Sequence, residues 1–365
     1  MDVTYWLIAT LTFVLLITAL VGAHEYGHFL FARLFKMNVE EFAIGFGRPP
    51  WRWMRKKGTD FTFRPVPLGG FVRISGMEPK EDGSEVQTEG GFFSKPPWQR
   101  FLVLGAGPLF SILFGVLLIF VTKITFGEPM ASPVIEQVLP DMPAEKAGLQ
   151  KGDRLVAVNG QTITEYWQAQ RAIQLRPEEP TEIVIDRAGE ILTFTITPIL
   201  AKDKTPVLGP DGRPTGEMKE QGMVGFSPAT TTVSVPPGEA FQFAMSMPGV
   251  IGGHILGLFT KPQRMKDEVG GPIAIFTMTA ESSKGGIERV LGFCAMLSIS
   301  IGYLNLLPIP PFDGGQMVIA IAEMLRRGRR LSYRIQTVAM QVGFCFILLL
   351  FASVMFMDVS RLIQR

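Results

Sequence analysis

The sequence predicts a polytopic α-helical membrane protein with four transmembrane helices, a membrane-associated β-hairpin loop and an inserted α+β domain. Three observations carry that assignment. Four charge-free runs, residues 3–23, 101–122, 290–312 and 335–357, each reach the roughly 20 residues that a helix needs to cross hydrocarbon. Basic residues crowd two of the connecting loops, which is how membrane topology is written into sequence. Residues 128–200 instead alternate short strand-like and helix-like patterns separated by turn residues. A hydrophobic content of 47% and a mean hydropathy of +0.26 agree with a membrane chain. A formal charge of only +2 argues against a nucleic-acid partner. Cys294 and Cys345 both fall in apolar runs and read as small hydrophobes, not as a disulfide framework.

The first run carries no basic leader or small-residue cleavage site and is expected to be a retained span. It opens a segment, residues 1–126, that holds the first two spans and, between them, a cytoplasmic β loop over 35–100. That loop carries Arg33, Lys36, Arg48, Arg52, Arg55, Lys56, Lys57, Arg64 and Arg73 at or near its start, and the loop before the last span carries Arg326, Arg327, Arg329, Arg330 and Arg334. Both are expected on the cytoplasmic side, which makes the chain N-out and C-out, with 123–289 outside. Within the β loop, residues 41–47, 61–63 and 67–72 read as short strands punctuated by Gly and Pro. In hydrocarbon, irregular backbone survives only where protein or a wet cavity covers it. The loop is therefore either a hairpin dipping toward a site in the membrane or an ordinary surface hairpin. The acidic stretch 78–89 reads as solvated loop.

Residues 127–230 form the expected outer domain. Val134–Val138 reads as a strand, Pro143–Leu149 as a short helix ended by Gly148, Leu155–Val158 as a strand, Glu165–Leu175 as a helix, and 181–185 with 191–196 as a β pair. The stretch 147–153 followed by Val158-Asn159-Gly160 resembles a PDZ domain of the bacterial permuted type. In that type the carboxylate-binding loop lies late in the domain, and Gly222, Met223, Val224, Gly225 and Phe226 look like it. Such a loop cradles a peptide C-terminus while a strand edge pairs with the peptide. The alternative use of the same shape is a steric gate with no peptide bound. The Pro-, Gly- and charge-rich segment 201–220 is expected to be a flexible insertion. Residues 231–289 are expected to form amphipathic or half-inserted surface helices. Their uncharged run 240–260 is broken in pattern by Pro248, and its His254 reads as structural.

Chemistry enters at His24-Glu25-Tyr26-Gly27-His28. Histidines four apart share one helix face and can hold one zinc ion, with Glu25 beside them to act on a water. Such a motif also arises by chance in ordinary helices. Here it takes two of the chain's three histidines and directly continues an apolar span, where ionisable groups are costly and point to function. A catalytic zinc usually has three protein ligands plus water. Asp313 is the first charge after the 290–312 run, and by topology that end and the His24 end both face the cytoplasm. Asp313 is thus the expected third ligand in the last segment, 290–365, although an Asp that merely ends a span at the interface is common.

Together, the 24–28 motif and Asn305-Leu306-Leu307-Pro308-Ile309-Pro310-Pro311-Phe312-Asp313-Gly314 resemble the site-2 protease family of intramembrane zinc metalloproteases. Gly45-Phe46-Gly47, Pro67-Leu68-Gly69-Gly70 and Val269-Gly270-Gly271-Pro272-Ile273 extend the resemblance along nearly the whole chain, nearest to the regulator-of-sigma-E protease group. Two departures stand out. That group's best-known form has tandem PDZ domains where this chain has room for one, and Phe312 stands where many relatives have Leu. The resemblance implies a zinc metalloendopeptidase with one zinc per chain, held by His24, His28 and Asp313, with Glu25 as catalytic base. It implies substrate binding at Asn305 and Pro308 and at Gly69 and Gly70. The implied substrates are single-span membrane proteins, such as anti-sigma factors or signal-peptide remnants, cut in or near the bilayer after a first protease has shortened them. This is regulated intramembrane proteolysis in a bacterial inner membrane, with the PDZ domain on the periplasmic side. Two other readings compete. A non-catalytic membrane PDZ adaptor for envelope-protein C-termini predicts a degenerate metal motif, and this one is intact. A zinc transporter predicts internal repeats, and none is visible.

Overall fold

A computed structural model of the chain describes residues 3–77, 88–201, 204–210, 212, 214–260 and 269–363. Most of the acidic stretch 78–89 lies outside them. The chain divides into two compact units, one made of Met1–Thr125 with Pro236–Arg365 and the other of Phe126–Val235.

The first unit is built on long helices. Among the described residues four are long and apolar enough to cross a membrane: α1 (Val3–Leu34), α2 (Pro97–Phe126), α7 (Ile287–Asn305), and α9 (Tyr333–Ile363) over Arg334–Arg361. Their outer faces are apolar, with Leu7, Leu11, Leu15, Leu117 and Leu349 all exposed, the reverse of a water-facing helix. Small side chains set the closest packing. Ser298 of α7 donates to the Ser111 carbonyl of α2 at 2.6 Å, and both serines are buried.

One expectation about this unit is refined and one needs correction. Within the apolar run 290–312 the prolines end the helix, as their chemistry predicts. α7 stops at Asn305, a turn follows, and Asp313 is the first residue of a further helix, α8 (Asp313–Leu325). Pro308, Pro310 and Pro311 lack the N–H a continuing helix would need. Conversely, Pro248 does not interrupt its helix, because α5 (Pro237–Thr260) runs through it unbroken. Ala244 and Ile251, on either side of the proline, are buried against Ala295 and Ile299 of α7, and Tyr303 donates to the Pro248 carbonyl at 2.9 Å. That packing holds both halves of the helix against α7.

Between α7 and α5 in sequence, α6 (Pro272–Lys284) begins inside the Val269–Ile273 motif. Its first turn is held from the far end of the chain. Asp358 on α9, buried, accepts hydrogen bonds from the Gly271 and Ala274 N–H groups, both at 3.1 Å, and Arg361 donates to the Val269 carbonyl. A carboxylate at a helix N-terminus satisfies donors that the helix itself leaves open. A second tie joins α2 to α8, where Arg100 and Glu323 form a 2.6 Å ion pair with both side chains almost wholly buried.

The expected hairpin is a four-stranded sheet. β1 (Val39–Phe46), β2 (Trp51–Lys56), β3 (Thr59–Phe63) and β4 (Val66–Ile74) stand in the order β2-β3-β1-β4, with β1 and β3 parallel and the other pairs antiparallel. β2 was not foreseen in the sequence. Glu41 locks the middle of this sheet by accepting from the Thr62 hydroxyl and the Arg64 guanidinium, each at 2.6 Å. Burial pushes its carboxyl pKa up, but those hydrogen bonds and the charges of Arg64 and Arg73 outweigh it and hold the carboxyl below its usual range.

The second unit carries a six-stranded antiparallel sheet. Its strands are β5 (Glu128–Val138), β6 (Arg154–Val158), β7 (Gln161–Thr162), β8 (Thr181–Arg187), β9 (Glu190–Ile196) and β14 (Phe226–Val233), in the order β14-β5-β6-β8-β9 with β7 on β6. α3 (Pro143–Ala147) and α4 (Tyr166–Gln174) complete it, over a core of Ile135, Leu155, Val158, Ala169, Ile173, Ile183 and Ile185. Strands β10 (Ile199–Leu200) and β13 (Gly222–Met223) pair with each other. The segment 201–220 is not a featureless insertion: β11 (Thr205–Leu208) and β12 (Pro214–Lys219) form an antiparallel pair within it. Their composition hides this, since strand pairing is a non-local property.

Asp153 anchors this unit. It is buried and takes two hydrogen bonds from Arg187, at 2.7 and 2.8 Å, and one from the Gln150 N–H. Burial pushes its carboxyl up, yet the Arg187 and Gln150 contacts outweigh burial and hold it below the usual range. A carboxyl depressed in the folded state adds stability that is present above its unfolded pKa of about 4 and is lost as pH falls through the lower folded value. Asp153→Asn is therefore expected to lower the melting temperature of this unit at pH 7 and to flatten its loss of stability below about pH 4, as read by thermal unfolding across pH. An unchanged acid limb in the variant would remove this pair from the account.

Candidate metal centre

α1 carries the site because its charge-free turns continue without a break into His24 and His28, which fall on one face one turn apart. α8 supplies the third donor from its first position, where the proline-rich turn after α7 delivers Asp313. His24 Nε2 lies 3.1 Å and His28 Nε2 3.4 Å from Asp313 Oδ2, and the two Nε2 atoms are 3.2 Å apart. Three donors at tetrahedral corners around zinc, at bond lengths near 2.05 Å, stand about 3.3 Å from one another. The donor set and its spacing thus fit a zinc ion, and among the described residues no other group of three or more metal-binding side chains comes together. His254, exposed on α5, belongs to no such group.

The other ring nitrogens are held. His28 Nδ1 is 2.8 Å from the Val103 carbonyl, which requires that nitrogen to donate, and His24 Nδ1 is 2.9 Å from the Ser111 hydroxyl. Both partners come from α2. The carbonyl fixes the His28 tautomer with Nε2 free to ligate, and both contacts hold the ring orientations that bring the two Nε2 atoms together. Midway between them on the same helix face is Gly107. A Cβ there would lie 2.2 Å from His28 Nε2 and 2.9 Å from His24 Nε2, so only glycine leaves room for the donors. Gly27 plays the reciprocal part on α1, where a Cβ would meet the Ala106 carbonyl at 2.3 Å.

Glu25 faces a cavity of about 220 Å³ whose lining includes His24, His28, Gly70, Val72, Asn305 and Asp313. Its carboxylate accepts a hydrogen bond from the Val72 N–H of β4. Gly70 allows β4 this close, because a Cβ there would meet Val21, the Ala43 carbonyl and Glu25. The arrangement pairs a three-donor cation cradle with a carboxylate at its rim and a strand along its wall.

A family model described as peptidase family M50 matches residues 12–350. The chain belongs to peptidase family M50. Relatives along almost its whole length carry the name "Putative zinc metalloprotease". One from Rhizobium meliloti (strain 1021) is 33% identical, covering 96% of both chains. One from Rickettsia conorii is 30% identical, covering 98% of this chain and 99% of its own. One from Fusobacterium nucleatum is 34% identical, covering 86% and 87%. The chain is accordingly a membrane metalloprotease of the M50 type, and zinc is its cofactor.

Of the site residues expected in this M50 chain, His24, Glu25, His28, Gly70, Asn305 and Asp313 share the cavity. Gly69 and Pro308 adjoin it without lining it. Gly69 has φ +131°, and a Cβ would run into the Phe46 ring. Gly222 to Phe226 lie in the other unit. There Gly222 and Met223 form β13, Val224 is buried, Gly225 turns with φ +87°, and Phe226 opens β14, an end strand of its sheet. Sequence reasoning missed Val103, Gly107 and Ser111, whose spacing of four along α2 is the signal that could have found them.

Proposed function

We propose that this M50 chain is an intramembrane zinc endopeptidase of the regulator-of-sigma-E protease type, with His24, His28 and Asp313 as zinc ligands and Glu25 as the catalytic base. The reading is carried by one observation: three donors spaced for a tetrahedral ion meet beside Glu25 in a cavity walled by a β-strand. His24, His28 and Asp313 would hold the zinc, which would supply Lewis acidity for a peptide carbonyl and make a water more acidic. Glu25 takes the proton of the attacking water on a carboxylate oxygen and hands it to the departing amine. The Val72 N–H orients that carboxylate, the Val103 carbonyl keeps His28 in the ligating tautomer, and Ser111 holds the His24 ring in place.

The substrate class is a single-span membrane protein shortened by an earlier cut. A helical substrate buries its carbonyls in i→i−4 bonds and must unwind before attack. β4 is the end strand on the cavity side, suited to pair with an unwound segment, and Asn305 and Gly70 line the same cavity, where they would hold the segment to be cut. Residues 127–230 act as a single PDZ domain on the extracytoplasmic side of a bacterial inner membrane. Their Gly222–Phe226 loop and the β14 edge either receive a peptide C-terminus or screen substrates by size. The chain is N-out and C-out, and the pathway is regulated intramembrane proteolysis.

The test is cleavage of a tagged, pre-trimmed single-span substrate by purified full-length protein in detergent. Activity should vanish when a chelator strips the ion and return with stoichiometric zinc. Failure of fully zinc-loaded protein to cut any of a panel of such substrates would overturn the endopeptidase reading.

A further inference from the structure

The four-stranded sheet of the membrane unit has two end strands with opposite chemistry. β4 lines the cavity described above. β2, at the far edge, pairs among the described residues with β3 alone and reads Trp51-Arg52-Trp53-Met54-Arg55-Lys56, followed by Lys57 in the turn. Trp51 is 69% exposed and Trp53 50%, and Arg52, Arg55, Lys56 and Lys57 are exposed as well. Against these four cations the hairpin offers one carboxylate, Asp60, which Arg52 and Arg55 share at 3.4 and 3.5 Å.

The indoles are not isolated surface residues. Trp51 stacks on Phe63 at 6.0 Å between ring centres, Trp53 meets Phe61 at 5.7 Å, and Phe61 in turn meets Phe29 of α1 and Phe42 of β1. An aromatic face thus runs from the helix out to the sheet edge. Its level along α1 is fixed too. Arg33, in the last turn of α1, donates to the Lys57 carbonyl at 2.8 Å, and the half-exposed Trp98 at the start of α2 packs on Phe35 just past the same helix end. The hairpin turn therefore sits where two membrane-length helices end.

Lysines and arginines on an edge strand guard against pairing with another chain, which accounts for the cations. It does not account for two exposed indoles joined to a continuous aromatic face. Indole beside guanidinium and ammonium is the chemistry of the bilayer interface, where the ring lies among glycerol and acyl carbons and the cation reaches a headgroup.

We infer that β2 is a lipid-binding strand that seats Trp51 and Trp53 in the membrane interface and recognises anionic phospholipid headgroups through Arg52, Arg55, Lys56 and Lys57. The inference is independent of the chemistry assigned to the zinc site. Each cation held near an anionic headgroup raises its local occupancy by about fivefold, and the sharing of Asp60 lowers the effect of the two arginines.

The full chain is reconstituted in vesicles of phosphatidylcholine containing brominated phosphatidylglycerol or brominated phosphatidylcholine at matched mole fractions, and tryptophan quenching is recorded. The signal of the strand is the difference between wild type and Trp51→Phe/Trp53→Phe, two exposed and conservative changes. That difference should be quenched by brominated lipid, with a preference of about fivefold or more for phosphatidylglycerol. Arg52→Gln/Arg55→Gln/Lys56→Gln/Lys57→Gln should bring the preference close to unity. Native mass spectrometry of wild type and this quadruple variant supplies a second reading, in which wild type retains more phosphatidylglycerol. Quenching of the difference signal by aqueous iodide and not by brominated lipid would overturn the membrane placement. Equal quenching by both lipids, with equal retention by both proteins, would overturn headgroup recognition.

Discussion

Glu25→Gln is expected to lower cleavage by about two to four orders of magnitude while leaving the zinc content of the purified protein unchanged. The amide keeps the size of the carboxylate and still offers an oxygen to the Val72 N–H, so β4 has no reason to move. The three donors are His24, His28 and Asp313, and none of them is bonded to Glu25. What the substitution removes is a group that can accept a proton from water and return it. The two halves of the expectation separate the roles. Loss of activity with loss of zinc would make Glu25 a structural or ligating residue. Retained activity with zinc present would sink the assignment of the base. A single-turnover assay in detergent, with metal quantified on the same sample, reads both.

The parts of this site that residue chemistry alone makes visible share a property: each is a charge or a titratable ring in an apolar context, while the neutral Asn305 and Gly70 enter only through the family resemblance. His24, Glu25 and His28 stand at the end of a charge-free run, and Asp313 is the first charge after another. The parts not visible are neutral or backbone groups. Ser111 and the Val103 carbonyl have no signature within a span, and Gly107 resembles any small residue that lets helices pack. The same division runs through the fold. Long apolar runs announce α1, α2 and α9, whereas the run 290–312 hides the end of α7 at Asn305 because the proline turn that follows it stays uncharged, and α8 begins only at Asp313. Pro248 misleads in the other direction. The rule that proline breaks helices is local, and the burial of Ala244 and Ile251 on α7 overrides it. β2 escapes because alternating Trp and Arg reads as a solvated basic loop unless its partner strand is known.

Gly107→Ala carries the second large effect, and it needs no change in any ligand. One methyl at this position would lie 2.2 Å from His28 Nε2 and 2.5 Å from His28 Cε1, with His24 Nε2 at 2.9 Å. The obstacle is a pair of rings pinned by their own hydrogen bonds, not the free end of a flexible chain, so relief requires α2 to withdraw or the rings to turn off the ion. Withdrawal is resisted where α1 and α2 are already closest, at Gly27 against the Ala106 carbonyl. Turning the rings breaks the contacts to Val103 and Ser111 that aim them. Either response misplaces two of three donors, and zinc affinity is expected to fall by on the order of 100-fold or more, with activity falling alongside it. Gly105, two residues earlier on the same helix, is the internal control. A Cβ there would meet only the end of the Met317 side chain, Cε at 3.3 Å and Sδ at 3.7 Å, which can rotate aside. Gly105→Ala should therefore keep zinc and activity near wild type. Competition for zinc against a chromophoric chelator distinguishes the two variants directly. Equal affinity in both would mean that α2 does not close over the donors, and the enclosure of the site by Gly107 would have to be abandoned.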